Sequence, residues 1–273
     1  MTTSFSVVGS PISHSLSPAL HLAAYRFLGL DFLYEMNEVE AGALANFVKD
    51  SEFAGVSVTM PLKQEAFELG SFHDEDSQRT RVSNTLVRAK GGWSAYNTDV
   101  FGIRQALLGL PTVTSTVVLG SGATARSGLV ALSQLAPNSG VSILSRNAGA
   151  ADQLVEFAKG LDLVASVQEV TAIKLIEADL VLSLVPSGSF AQLWADLGQS
   201  SQTGRGVLFD VAYNPWPSTA ALAWGDAQTI SGIEMLIWQA IRQIELFLEA
   251  SNSIVDFDRL EMYAVMKNAV SGK

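Results

Sequence analysis

The chain has 273 residues, enough for one large domain or two of ordinary size. Lys plus Arg number 17 against 27 Asp plus Glu, a formal charge of −10, and 48% of residues are apolar. This excludes a disordered polyelectrolyte and argues against a nucleic-acid partner, which needs a surplus of cations, but leaves an anionic small ligand open.

An apolar run at 5–8 ends at Gly9, Ser10 and Pro11, as a strand feeding a loop does. Ser17 before Pro18 reads as an N-cap with proline at the first helical position, and Leu20, Ala23, Ala24, Phe27 and Leu28 continue at helical spacing until Gly29. A strand at 32–36, a helix at 41–49, a strand at 56–59 and a helix at 62–69 complete a β-α-β-α-β order, which predicts a mainly parallel sheet. Residues 86–96, with Gly91-Gly92 at the middle, read as a β-hairpin.

A second alternation starts at Thr116. The strand Val117-Val-Leu119 meets Gly120-Ser-Gly122 and a helix to about Leu135; the apolar runs at 141–144, 180–185 and 207–210 suit parallel strands buried on both faces. Two helices, about 233–250 and 256–267, close the chain. The expected fold is α/β in two domains: residues 1–100 with 236–273, a mainly parallel substrate-binding domain, and residues 101–235, a Rossmann dinucleotide-binding domain. Residues 1–8 lack the basic flank and apolar core of a signal peptide, and no apolar run nears the roughly 18 residues that span a bilayer, so a soluble cytoplasmic protein is expected. The absence of cysteine excludes disulfides and thiolate chemistry, and His14, His21 and His73 show no ligand spacing; no metal site is expected.

Gly120-Ser121-Gly122-Ala123-Thr124 lies between a strand and a helix, where glycines allow close approach of a pyrophosphate to the helix N-terminus. The alternative is an ordinary glycine-bearing βα turn. At the next strand end, Ser145-Arg146-Asn147 offers a cation where an acidic residue would select NAD, which favours NADP with NAD still possible; Arg146 could also be a solvated loop residue. Ser15 and Ser17 can direct two hydroxyls to one side, as a carboxylate ligand needs, or Ser17 may merely cap its helix. Lys63 follows a parallel strand, where open sheets bind ligands, and Asp99 ends the hairpin. If the two meet, the carboxylate would hold the ammonium for proton transfer; if not, each is a surface charge.

Gly9-Ser-Pro-Ile-Ser-His14-Ser15-Leu-Ser17-Pro18, Gly55-Val-Ser-Val-Thr59-Met-Pro61-Leu-Lys63 and Ser83-Asn84-Thr85 resemble, in order and spacing, the shikimate dehydrogenase family. So do Asn97-Thr98-Asp99, Asp210-Val-Ala-Tyr213-Asn-Pro215 and Gly232-Ile-Glu-Met235-Leu-Ile-Trp-Gln239, which extend the resemblance over residues 9–239. The resemblance implies reversible NADP(H)-dependent reduction of 3-dehydroshikimate to shikimate, a step of aromatic amino-acid biosynthesis. It implies that Ser15 and Ser17 hold the substrate carboxylate, that Thr59, Asn84, Tyr213 and Gln239 fix the ring, and that Lys63 and Asp99 face the reacting oxygen. Gly120, Ser121, Gly122, Ala123 and Thr124 would hold the pyrophosphate, Ser145, Arg146 and Asn147 the adenosine phosphate, and Val211, Gly232 and Met235 the nicotinamide. Glu75 matches an acidic position that touches cofactor in some members. The partners implied are small molecules alone, with no nucleic acid or membrane, and the chain would act as a monomer or homodimer.

Four positions depart from the family pattern. Gly122-Ala123 stands for Gly-Gly, Ser145-Arg146-Asn147 for Asn-Arg-Thr, Ser183-Leu-Val185 for Asn-x-Thr, and Ser57 for the asparagine before Val-Thr. Two rivals are an NAD-dependent quinate/shikimate dehydrogenase and a non-catalytic shikimate- or NADP-sensing module. Quinate's extra hydroxyl would need room near Ser15 and Ser17, whereas a sensor would need neither Lys63 nor Asp99 for proton transfer.

Overall fold

A computed structural model describes residues 3–168, 172–198, 203–225, 228–253 and 255–271. Met1 and Thr2, the start of the segment read for a signal peptide, lie outside them. The chain divides into two compact units, residues 1–102 with 236–273, and residues 103–235.

The first unit opens with β1 (Ser4–Gly9), α1 (Ser17–Phe27), β2 (Leu33–Glu38), α2 (Leu44–Asp50), β3 (Gly55–Val58) and α3 (Lys63–Leu69). There follow β4 (Gly70–His73), α4 (Glu75–Thr80), the hairpin β5 (Thr85–Ala89) and β6 (Gly92–Tyr96), and α5 (Thr98–Ala106), along which the chain leaves the unit. The strands form one sheet in the order β2-β1-β3-β5-β6-β4. β2, β1 and β3 run parallel, β5 runs against both neighbours, and β4 runs parallel to β6. β1 and β3 are buried on both faces, whereas edge strand β2 buries chiefly Tyr34. Val8, Val56, Leu62, Leu86 and Trp93 share one core cluster.

This topology positions a site. The chain leaves β1 toward β2 at the edge and returns past β1 to β3, so the loops after β1 and β3 diverge at a switch point, where open sheets bind ligands. Because β5 is antiparallel to β3, its first residue lies at the carboxyl end of β3; Thr85 pairs with both Ser57 and Tyr96. The segments around Ser15, Thr59, Asn84 and Asp99 are thereby gathered along one sheet edge.

The second unit contains β7 (Ser115–Leu119), α6 (Ala123–Leu135), β8 (Gly140–Leu144), α7 (Ala148–Lys159), β9 (Val164–Val167), α8 (Ala172–Glu177) and β10 (Leu180–Ser183). α9 (Ser189–Asp196), β11 (Val207–Asp210), α10 (Thr219–Trp224) and β12 (Thr229–Ser231) complete it. The sheet runs β12-β11-β10-β7-β8-β9 and every pair is parallel, the doubly wound Rossmann order with its switch point between β7 and β10. Phe190, Trp194 and Trp224 pack under it in one apolar cluster.

α11 (Gly232–Ala250) carries the chain back to the first unit, and α12 (Arg259–Val270) packs on α1. Phe247 of α11 stacks on Phe5 of β1 with ring centroids 4.4 Å apart. Among the described residues no helix is long and apolar enough to cross a membrane.

Two expectations are corrected. Ser17 is not the N-cap of α1: Leu16 holds that place without a side-chain bond, and Ser17 is the first helical residue. Asp99 belongs not to the hairpin, which stops at Tyr96, but to the first turn of α5, because the Asn97 side chain accepts from the Asp99 N–H at 3.1 Å and starts the helix.

Candidate active site

At the edge described above, Lys63 opens α3 and Asp99 is the second residue of α5, so both side chains project from first helical turns beside the switch point. Lys63 Nζ lies 2.5 Å from Asp99 Oδ2, and the two side chains are only 14% and 6% exposed. Asp99 Oδ1 accepts from Asn84 Nδ2 at 2.8 Å. Asn84 is buried at the start of β5; its Oδ1 accepts from the Thr98 N–H at 2.8 Å, and its Nδ2 lies 3.2 Å from Gln239 Oε1 on α11. The carboxylate thus takes both a cation and an amide while Lys63 keeps hydrogens to offer elsewhere.

Ser15 and Ser17 stand in the loop after β1 and at the start of α1. Ser15 is half-buried and its Oγ accepts from the Ser17 N–H at 3.3 Å; Ser17 is buried at the start of α1. Thr59 is half-buried after β3, its N–H donating to the Val8 carbonyl at 2.9 Å. Burial pushes the Tyr34 hydroxyl well above its ordinary range and drives the His21 imidazole down to about 3. Glu75 forms an ion pair with Arg79 on the exposed face of α4, and no hydrogen bond among the described residues joins it to the Lys63–Asp99 cluster.

In the second unit Gly120 follows β7 with φ +109°, and a Cβ there would meet the Leu184 carbonyl oxygen at 2.8 Å, so both conformation and space demand glycine. Gly122 is the N-cap of the 13-residue α6, and nothing lies within 4 Å of where its side chain would begin; Ala123 and Thr124 form the first turn. That open cradle at a helix N-terminus fits a pyrophosphate. Ser121 and Ser145 hydroxyls are 2.8 Å apart, Arg146 is exposed, and Asn147 caps α7 by accepting from the Ala150 N–H. Gly232 presses on the Val211 carbonyl, where no side chain would fit, and Met235 is buried one turn on. Tyr213 is half-buried, which pushes its hydroxyl upward. Ser183 donates to Asp210 Oδ1 at 3.0 Å and Ser218 to Oδ2 at 2.6 Å.

A cleft of about 480 Å³ in the second unit, lined by Pro111, Leu132, Leu135, Ser139 and Leu180 among others, lies at the amino ends of the strands, the edge opposite Gly120. The described residues contain no group of three or more His, Cys, Asp or Glu arranged to hold a metal.

The residue reading gave no role to Thr98, Tyr34, His21 or Gln243, all bonded into the first unit's polar interior. A usable signal existed for the last: Gln243 follows Gln239 by one helical turn, so both share a face of the helix.

Comparison with known proteins matches residues 7–86 to a family model described as the shikimate dehydrogenase substrate binding domain. A shikimate dehydrogenase (NADP(+)) of Leptospira interrogans is 32% identical over 269 residues, covering 92% of this chain and 91% of that protein. The crystal structure of shikimate dehydrogenase from Mycobacterium tuberculosis has a TM-score of 0.84 at 33% identity, covering 97% of this chain and 99% of that one. A shikimate 5-dehydrogenase from Thermus thermophilus, solved in complex with NADP(H) and shikimate, has a TM-score of 0.78 at 27% identity, covering 98% and 100%.

Proposed function

Because this chain belongs to the shikimate dehydrogenase family, we propose that it catalyses the reversible NADP(H)-dependent reduction of 3-dehydroshikimate to shikimate. The observation that carries the reading is the buried Lys63–Asp99 pair, bonded to Asn84 at the first sheet's switch point. A non-catalytic sensor has no use for a proton donor held in this way.

In this reading the first unit binds substrate and the second binds the nucleotide. Bound NADPH supplies the hydride; the chain's own residues orient the ring and move the proton. Ser15 and Ser17 take the carboxylate, while Thr59, Asn84, Tyr213 and Gln239 bind the remaining polar groups of the ring. The Lys63 ammonium gives a proton to the C3 oxygen as the carbonyl becomes an alcohol and recovers it in the reverse direction. Asp99 holds the ammonium in place and accepts from the neighbouring hydroxyl. The rate enhancement then comes from orientation and a preorganised field more than from new covalent chemistry.

The residues present fit the cofactor. Gly120 to Thr124 form the open cradle for the pyrophosphate at α6, Ser145, Arg146 and Asn147 receive the 2′-phosphate, and Val211, Gly232 and Met235 flank the nicotinamide. Glu75 adds a minor cofactor contact. The proposal includes a cytoplasmic location and small-molecule partners only.

Reduced-nicotinamide absorbance, followed with shikimate or quinate against NADP and NAD, tests the reading. Turnover should be fastest with shikimate and NADP; turnover only with quinate and NAD, or none at all, would overturn it.

A further inference from the structure

Gln243 is 2% exposed and sits where two hydrogen-bond chains of the first unit meet. Its neighbours decide which way its amide points. One end lies 3.2 Å from the Asn84 carbonyl oxygen, which can only accept, so that end is the NH2 group; it also reaches Thr85 Oγ1 at 2.9 Å. The other end is then the carbonyl oxygen, which takes the Ser57 hydroxyl proton at 2.8 Å and faces His21 Nε2 at 3.2 Å. His21, held neutral by burial, carries its hydrogen on Nε2 and leaves Nδ1 to the Tyr25 hydroxyl at 3.2 Å.

Both chains acquire a direction from this one amide. Thr85 accepts from Gln243 and donates to Asn84 Oδ1 at 2.9 Å, beside the Thr98 N–H at 2.8 Å; with its oxygen held there, Asn84 turns Nδ2 toward Asp99 Oδ1, and Asp99 Oδ2 receives Lys63. On the other side Ser57 has committed its proton to Gln243, so its oxygen accepts from Tyr34 at 2.7 Å.

We propose that Gln243 is a positioning residue for the reaction: through Thr85 it helps keep the Asn84 amide turned toward Asp99, so that the polar groups around Lys63 keep one geometry. This rests on the functional reading above. It also accounts for Ser57, which stands where the family pattern carries asparagine. The amide next to the β3 strand end is supplied from α11 instead, 2.8 Å beyond the serine hydroxyl.

Gln243→Met keeps the side-chain bulk and removes every one of these bonds. It should lower kcat and raise the KM for shikimate, each on the order of tenfold, with the KM for NADP unchanged. The double substitution Ser57→Asn/Gln243→Ala, which returns an amide to β3, should recover most of that loss. A packing role would leave Gln243→Met near wild type in all three constants, and a purely stabilising role would lower the unfolding temperature without moving them; either result overturns the proposal. So does a folded double variant with the kinetics of a substrate-site lesion, which decides the matter should Gln243→Met fail to fold. Wild-type protein inert toward shikimate with NADP would sink the functional reading itself, whereas an active wild type beside an indifferent Gln243→Met would sink this inference alone.

Discussion

Along the carboxyl edge of the first sheet, side chains hold one another: Lys63 on Asp99, Asp99 on Asn84, and Asn84 beside Gln239. At the corresponding edge of the second sheet, backbone does most of the shaping, with Gly120 against the Leu184 carbonyl and Gly232 against the Val211 carbonyl. A site built from bonded side chains needs particular residue types at particular places. A site built from backbone and close packing needs only small residues where chains approach, so its other positions can vary. This is why Ala123 for glycine and Ser145 for asparagine leave the second unit's turn open, and why Ser183, bonded to Asp210, is accommodated in the same fold.

The sharpest way to break this contrast is at Lys63. Lys63→Ala should lower kcat by about 10²-fold or more, the usual loss for a general acid, while shikimate binding by calorimetry stays largely intact. Near-normal kcat would remove the proposed proton donor.

Gly120→Ala tests the backbone side. The strained φ and the close Leu184 oxygen should together cost about 1–3 kcal/mol, seen as a lower denaturation midpoint and a raised KM for NADPH. Unchanged values in both measurements would mean that the turn relaxes freely.

Acid sensitivity should belong to the first unit, which contains all three histidines. Unfolding restores His21 from about 3 to its ordinary 6.5, so the unfolded chain binds the additional proton. Stability from this source is complete above pH 6.5 and falls by roughly 1.4 kcal/mol per pH unit as pH drops toward 3. Denaturant titrations across that window should show the advantage of wild type over His21→Gln shrinking at this slope, and a pH-independent gap would mean that the imidazole is protonated when folded.

The smallest effect is expected at exposed Arg146. Arg146→Ala should raise the KM for NADPH about fivefold, the scale of one solvated charge-assisted contact, with little change for NADH. Equal shifts for both nucleotides would take phosphate selection away from this residue.

Much of the frame is legible in the amino-acid sequence. Buried parallel strands such as 180–183 and 207–210 are apolar up to their last residue, and glycines marked the dinucleotide turn. β4, β9 and β12 were not, because strands of three or four half-exposed residues carry too little periodicity to stand out. Ser17 resembled a cap because Ser-Pro is a common helix start, yet the helix begins one residue earlier, with Leu16 at the cap position and Ser17 buried in the first turn.

Composition, apolar periodicity and residue placement by themselves determined the α/β class, the two alternations, and Lys63 and Asp99 as candidates, because these are local properties of the chain; Asn84 became a candidate only through the family resemblance. Only tertiary structure decided which polar groups meet. Whether Lys63 reaches Asp99, or Gln243 reaches Asn84 across 159 positions, depends on antiparallel β5 and on the return of α11, and hydrogen bonds over such separations leave no periodic trace in sequence.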